Sequence, residues 1–197
     1  MGRKLLAGIL GGVAFFAWSS IAHMVLPLGE TGVQEIGNEE AVTSAMQANI
    51  KAGGLYLFPG MHLPAGASRD QQSAAMQKNF EKVKTGPSGL LMYHRSRDVG
   101  FGKLMVTELT TNILQMLLAV FLLAQTRIAS FAGRWRFVTA AGVLAAISTN
   151  VSYWNWYGFP GNYTVAYTST IAMGFVCAGL VIAAMVKPEA AALAARA

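Results

Sequence analysis

The chain has 197 residues, of which 54% are hydrophobic and 12% charged, and its mean hydropathy is +0.43. Soluble domains carry about a quarter charged residues, so this composition excludes a disordered chain and argues against a soluble enzyme. Fifteen Lys and Arg against nine Asp and Glu leave a net charge of +6, and the single Cys177 excludes an internal disulfide framework or a cysteine-based zinc site.

A membrane-spanning helix requires about 20 mostly apolar residues, and four segments meet that demand. The first, about 5–26, carries no charge. Arg3-Lys4 ahead of it and Ser20-Ile21-Ala22 near its end resemble a signal peptide, but the apolar stretch is longer than a signal core, so an uncleaved span is expected. The second, about 104–124, contains Glu108 as its only charge. The third, about 137–153, ends in aromatic residues, and the fourth covers about 163–186. The expected fold is therefore an all-α membrane protein. It is a single integral membrane domain over 1–197, a four-helix transmembrane bundle with a small α or α+β periplasmic cap from loop 27–103.

Basic residues in short loops set orientation. Arg3 and Lys4 precede the first span, Arg127, Arg134 and Arg136 crowd the second loop, and Lys187 follows the fourth span. The third loop, 154–162, is uncharged. Both termini are thus expected in the cytoplasm. The long first loop holds eight basic and seven acidic residues, but long loops cross largely regardless of charge.

That loop is too long for a plain connection. Asn38 can cap a helix opened by Glu39 and Glu40, with Val42, Met46 and Ile50 at helical spacing and Gly53-Gly54 to stop it. Ser68 and Gln71 fit a capping box for a second helix, in which Met76, Phe80 and Val83 share a face. Two apolar runs, 55–58 and 90–93, are either paired antiparallel strands or interfacial anchors, since four residues do not settle a period. Without cysteines, the loop is expected to be held by packing on the top of the bundle.

Polar residues within spans carry the functional signal, because intramembrane ionisable groups are costly and mark sites. Thr111, Asn112 and Gln115 follow Glu108 at i+3, i+4 and i+7, forming one stripe. His23 lies at a similar expected depth in the first span, and Asn150 and Tyr167 lie in the outer halves of the third and fourth. A periplasm-facing cluster of His23, Glu108, Thr111, Asn112, Asn150 and Tyr167 is the candidate ligand site, with Glu108 as proton acceptor and His23 as its partner. The competing reading is a structural pair that fixes helix register. No cofactor is implied. A metal ion is conceivable on His23, His62, His94 and Glu108, though none has a motif's spacing and tertiary folding would have to gather them.

Trp154, Trp156, Tyr157 and Phe159 read as an interfacial aromatic belt, with Trp135 as its cytoplasmic counterpart, and Cys177 as a packing residue. Phosphate loops, nucleophile elbows and inverted repeats are absent from the sequence, and the basic residues scatter among span flanks, which excludes nucleic acid as a partner.

The strings Trp18-Ser19, His23-Met24-Val25-Leu26-Pro27, Asn38-Glu39-Glu40-Ala41-Val42 and Gly54-Leu55-Tyr56-Leu57-Phe58-Pro59-Gly60 resemble a group of small uncharacterised bacterial inner-membrane proteins with four predicted spans. The resemblance covers about the first third of the chain, and implies a bacterial inner-membrane setting without an assigned activity. The architecture is also similar to the claudin arrangement, without its loop cysteines, so only at the level of fold. The expected function is a non-enzymatic accessory or scaffold subunit of a membrane assembly, in contact with lipid and with a membrane partner or further copies of itself. The alternative is a membrane-embedded enzyme, or a small-ligand or metal-binding protein, built on His23 and Glu108.

Overall fold

Four long apolar helices dominate the computed structural model, which describes residues 2–187. α1 (Gly2–Met24) is followed by α2 (Glu39–Asn49), β1 (Gly54–Phe58), α3 (Arg69–Thr85) and β2 (Gly89–Tyr93). The chain then runs through α4 (Phe101–Ala124), α5 (Phe131–Tyr157) and α6 (Gly161–Met185). α1, α4, α5 and α6 are each long and apolar enough to cross a membrane, so the protein is an integral, multi-pass membrane protein in contact with the lipid bilayer.

The chain divides into two compact units, Met1–Gln34 with Val99–Ala197, and Glu35–Asp98. The spans are longer than hydropathy alone suggests. α5 starts at Phe131, because Ser130 caps it by accepting from the Gly133 N–H at 3.1 Å, and it runs to Tyr157. Arg134, Arg136, Trp154 and Trp156 are therefore helical, and the third connection shrinks to 158–160. Gly158 ends α5 in a left-handed conformation (φ +70°), which suits glycine at this position. A hydropathy window registers charge and misses a cap, hence the displaced boundaries.

In the first unit, α1 packs against α4 and α6, α6 packs against α5, and α4 meets α5 only slightly. The helices therefore lie in a row, α4–α1–α6–α5. Helices in lipid gain little from hiding apolar surface from other apolar surface, so close approach decides which pairs form. Gly8 and Gly12, one turn apart on α1, provide it: a Cβ at Gly12 would lie 2.5 Å from Ile113 Cα, and one at Gly8 2.5 Å from Leu117 Cδ2. Gly174 makes room for Phe15 and Gly142 for Phe175, and those two rings meet edge to face at 5.5 Å. Fully buried Met116, Val138 and Ile182 fill the core along these seams.

The second unit follows its caps. Asn38 Oδ1 accepts from the Ala41 N–H, and Ser68 and Gln71 form the reciprocal capping box. β1 and β2 pair antiparallel, with Leu55 opposite Met92 and Leu57 opposite Leu90. The two short runs are thus strands, a long-range pairing that four-residue segments do not reveal locally. Asn79 Nδ2 donates to the Pro59 carbonyl at 2.7 Å and ties α3 to the segment after β1. Neither α2 nor α3 buries a residue fully: Met76, Phe80 and Val83 stay exposed, so the expected face on α3 does not enter a core.

Gly12→Val is expected to lower stability by about 1–3 kcal/mol, since a backbone atom of α4 cannot step aside. Gly102→Ala, with nothing within 4 Å of the added carbon, should leave the thermal midpoint in detergent unchanged or slightly raised. Equal midpoints for the two variants would show that the α1–α4 contact does not depend on glycine.

Candidate intramembrane polar site

His23 lies in the last turn of α1. Its Nδ1 is 2.8 Å from the Ser19 carbonyl oxygen; a carbonyl only accepts, so Nδ1–H donates and Nε2 is the remaining ring nitrogen. Gly29 lets the chain after α1 lie against the imidazole, because a Cβ there would come 2.3 Å from His23 Cδ2. Tyr167 meets the ring edge-on at 5.8 Å and opens a ladder of aromatics. Tyr163 stacks on Tyr167 at 4.5 Å and Phe159 follows at 5.4 Å. Tyr153 stacks on Phe159 at 5.3 Å, and Tyr157 lies 5.9 Å from Tyr153. The pairs 153/157 and 163/167 are one helical turn apart, the signal by which this ladder is legible in sequence.

Glu108 is elsewhere. Gly8 faces Leu117 and Gly12 faces Ile113, so α1 and α4 run antiparallel in a fixed register. That register carries His23 level with the first turn of α4, and Glu108 level with Ala17, about 9 Å further along the axis. The similar depths expected from sequence assume spans ending near Leu26 and starting near Leu104, whereas α1 ends at Met24 and α4 begins at Phe101. His23 and Glu108 form no hydrogen bond or ion pair, and Glu108 is exposed with no partner among the described residues.

The rest of the stripe splits in the same way. Thr111 is exposed and its Oγ1 donates to the Thr107 carbonyl at 2.9 Å. Gln115 is exposed without a hydrogen-bond partner among the described residues. Asn112 faces inward, 1% exposed, and neither its Oδ1 nor its Nδ2 has a partner there. Asn150 is buried and donates back to the Ala146 carbonyl at 2.9 Å. Helical periodicity put 108, 111, 112 and 115 on one stripe, but the packing boundary on α4 passes between 111 and 112.

Among the described residues no three His, Cys, Asp or Glu side chains stand close enough to hold an ion. His62 and His94 belong to the unit 35–98, and His23 and Glu108 to the other. The smaller unit carries instead a groove of about 320 Å³ on α3, whose walls include Lys78, Lys82, Gln71 and Asn79 and no carboxylate.

Sequence reasoning missed three polar anchors. Arg134, taken as a loop marker of orientation, is buried, donating from Nε (3.1 Å) and Nη2 (2.9 Å) to the Ala183 carbonyl and from Nη1 to that of Ala129. It supplies positive charge to the carbonyl end of α6. Trp18 Nε1 donates to the Thr170 carbonyl at 2.9 Å and joins α1 to α6. Trp135, expected in an aromatic belt, packs at Gly179 and donates to the Val176 carbonyl at 3.3 Å. In each case the acceptor is a backbone carbonyl on another helix, which leaves no trace in sequence spacing.

No family model, curated protein or solved structure matches the chain.

Arg134→Met removes the donors to α6 and to the connection before α5, and is expected to cost about 1.5–3 kcal/mol, the range for hydrogen bonds to charged groups. Thermal unfolding in detergent measures it; Arg136→Met, an exposed neighbour, is the control and should change little.

Proposed function

We propose that the protein is a non-enzymatic accessory or scaffold subunit of a membrane assembly, whose contact face lies within the bilayer on α4. The observation that carries this reading is the exposed Glu108 and Gln115, both without partners among the described residues, on the helix at one end of the row. α4 is about 36 Å long and Glu108 lies about 10 Å from its start, within a hydrocarbon layer of about 30 Å. A carboxyl left against lipid at a helix centre costs about 2.5–3.5 kcal/mol on insertion scales, and somewhat less at the shallower depth of Glu108. A neighbouring spanning helix that offers hydrogen bonds removes that cost. His23 supports the same reading: its Nδ1–H is committed to Ser19 and its ring to Tyr167, which orders α1 on α6.

The orientation that fits is the bacterial inner membrane with both termini in the cytoplasm and residues 35–98 in the periplasm. Arg3, Lys4, Arg127, Arg136 and Lys187 support it, with the uncharged connection 158–160 at the opposite end, and Arg134 no longer counts because it is buried. The resemblance to small bacterial inner-membrane proteins supplies the cellular setting.

Two measurements test this. With Cys177 removed, Lys78→Cys should react with a membrane-impermeant maleimide in intact cells, and reaction only after permeabilisation would reverse the orientation. In nanodiscs, the protein should have a mass above that of one 20.9 kDa chain. A monodisperse monomer with no co-purifying partner would oppose a scaffold role. Under the alternative reading, a His23-based binding site, His23→Ala would abolish thermal stabilisation by a ligand or bound metal content.

A further inference from the structure

We infer that the α4 face is the seam of a parallel homodimer, closed by a second copy of this chain across a two-fold axis normal to the membrane. The inference rests on the reading above and names its partner. Leu104, Glu108, Thr111, Gln115, Leu118 and Leu122 alternate by four and three residues, the a/d spacing of a left-handed helix pair. All six are exposed. The buried side of the same helix (Asn112, Met116, Ala119, Val120 and Leu123) is a different stripe, so this seam is a second packing face. α4 ends the helix row, with α1 its one extensive neighbour, and no other part of the first unit covers the seam.

The chemistry of the seam matches itself. Every copy enters the membrane in one orientation, so two α4 helices meet parallel and at equal depth, and a two-fold brings like residues together. The Gln115 amide carries both donor and acceptor and pairs with its own copy. Two Glu108 side chains meet at one level, where a carboxyl in its acid form donates to a carboxylate. The buried cation of the bundle, Arg134, is committed to the Ala183 and Ala129 carbonyls and is not available to Glu108. Polar residues at a positions fix register and oligomer number, while Leu104, Leu118 and Leu122 supply packing on either side.

The test is disulfide crosslinking of the full-length chain in native membranes, in a Cys177→Ala background. Thr111→Cys and Leu118→Cys, on the seam, should give the crosslinked dimer on mild oxidation. Leu114→Cys and Phe121→Cys, equally exposed but off the seam, should not. Glu108→Ala combined with Gln115→Ala should weaken dimerisation in nanodiscs about tenfold, equivalent to 1.4 kcal/mol and within the range of two membrane hydrogen bonds. Glu108→Gln, which keeps a self-pairing group, should retain the dimer. Dimer without preference for 111 and 118 over 114 and 121 overturns the seam. Photocrosslinks from position 111 to a different protein, and not to this chain, overturn the homodimer while leaving the scaffold reading in place. A monomer in nanodiscs with no crosslink from any of these positions overturns both.

Discussion

Helices immersed in hydrocarbon gain nothing from exchanging lipid contact for leucine contact, so a bundle there depends on how closely backbones can approach. In this protein that constraint is met by glycine. Gly8 and Gly12 admit Leu117 and Ile113 of α4, Gly174 admits Phe15, and Gly142 admits Phe175. At Gly8, Gly142 and Gly174 a side chain fills the space that a Cβ would have taken, and at Gly12 the backbone of α4 itself comes close. The order of the row follows: α1 and α6 carry these contacts to neighbours on both sides, whereas α4 and α5 end the row with free flanks.

Polar groups follow a second rule, set by what a helix can offer its own side chains. Inside a helix the N–H groups are already committed and only carbonyl lone pairs remain. Side chains that donate can therefore be satisfied locally or across a seam, although the buried Asn112 amide and the Thr139 and Thr168 hydroxyls find no partner among the described residues. Ser20, Thr110, Thr111 and Asn150 reach back to the carbonyl four residues earlier, and Trp18, Trp135 and Arg134 reach a carbonyl of α6. An ionised carboxylate only accepts, so Glu108 gains nothing from its own helix. This asymmetry distinguishes Glu108 from the many hydroxyls around it, and explains why it is the group that calls for something outside the chain.

The His23 side of the candidate site has a different character. Imidazole, four tyrosines of α5 and α6 and Phe159 share faces and edges through consecutive ring contacts. Such rings combine apolar bodies with polar tips, which suits the boundary between hydrocarbon and water. The ladder joins three of the four spanning helices at one end of the bundle, opposite the end where Arg134 joins α5 to α6.

Sequence alone determined whatever depends on local physics. Four apolar stretches and the Asn38 and Ser68 caps were all readable, because hydropathy and capping act over a few residues. The ends of α5 were not, since the Ser130 cap and the burial of Arg134 let a charged turn join the helix. Tertiary structure decided the strand pairing of 54–58 with 89–93, the partners of Arg134 and Trp18, and the separation of His23 from Glu108. It also split the α4 stripe, turning Asn112 inward and leaving Glu108 and Gln115 outside. The reason is common to all of these: helical period says which residues share a face, but the register between helices and the neighbour on each side arise only from packing one element on another.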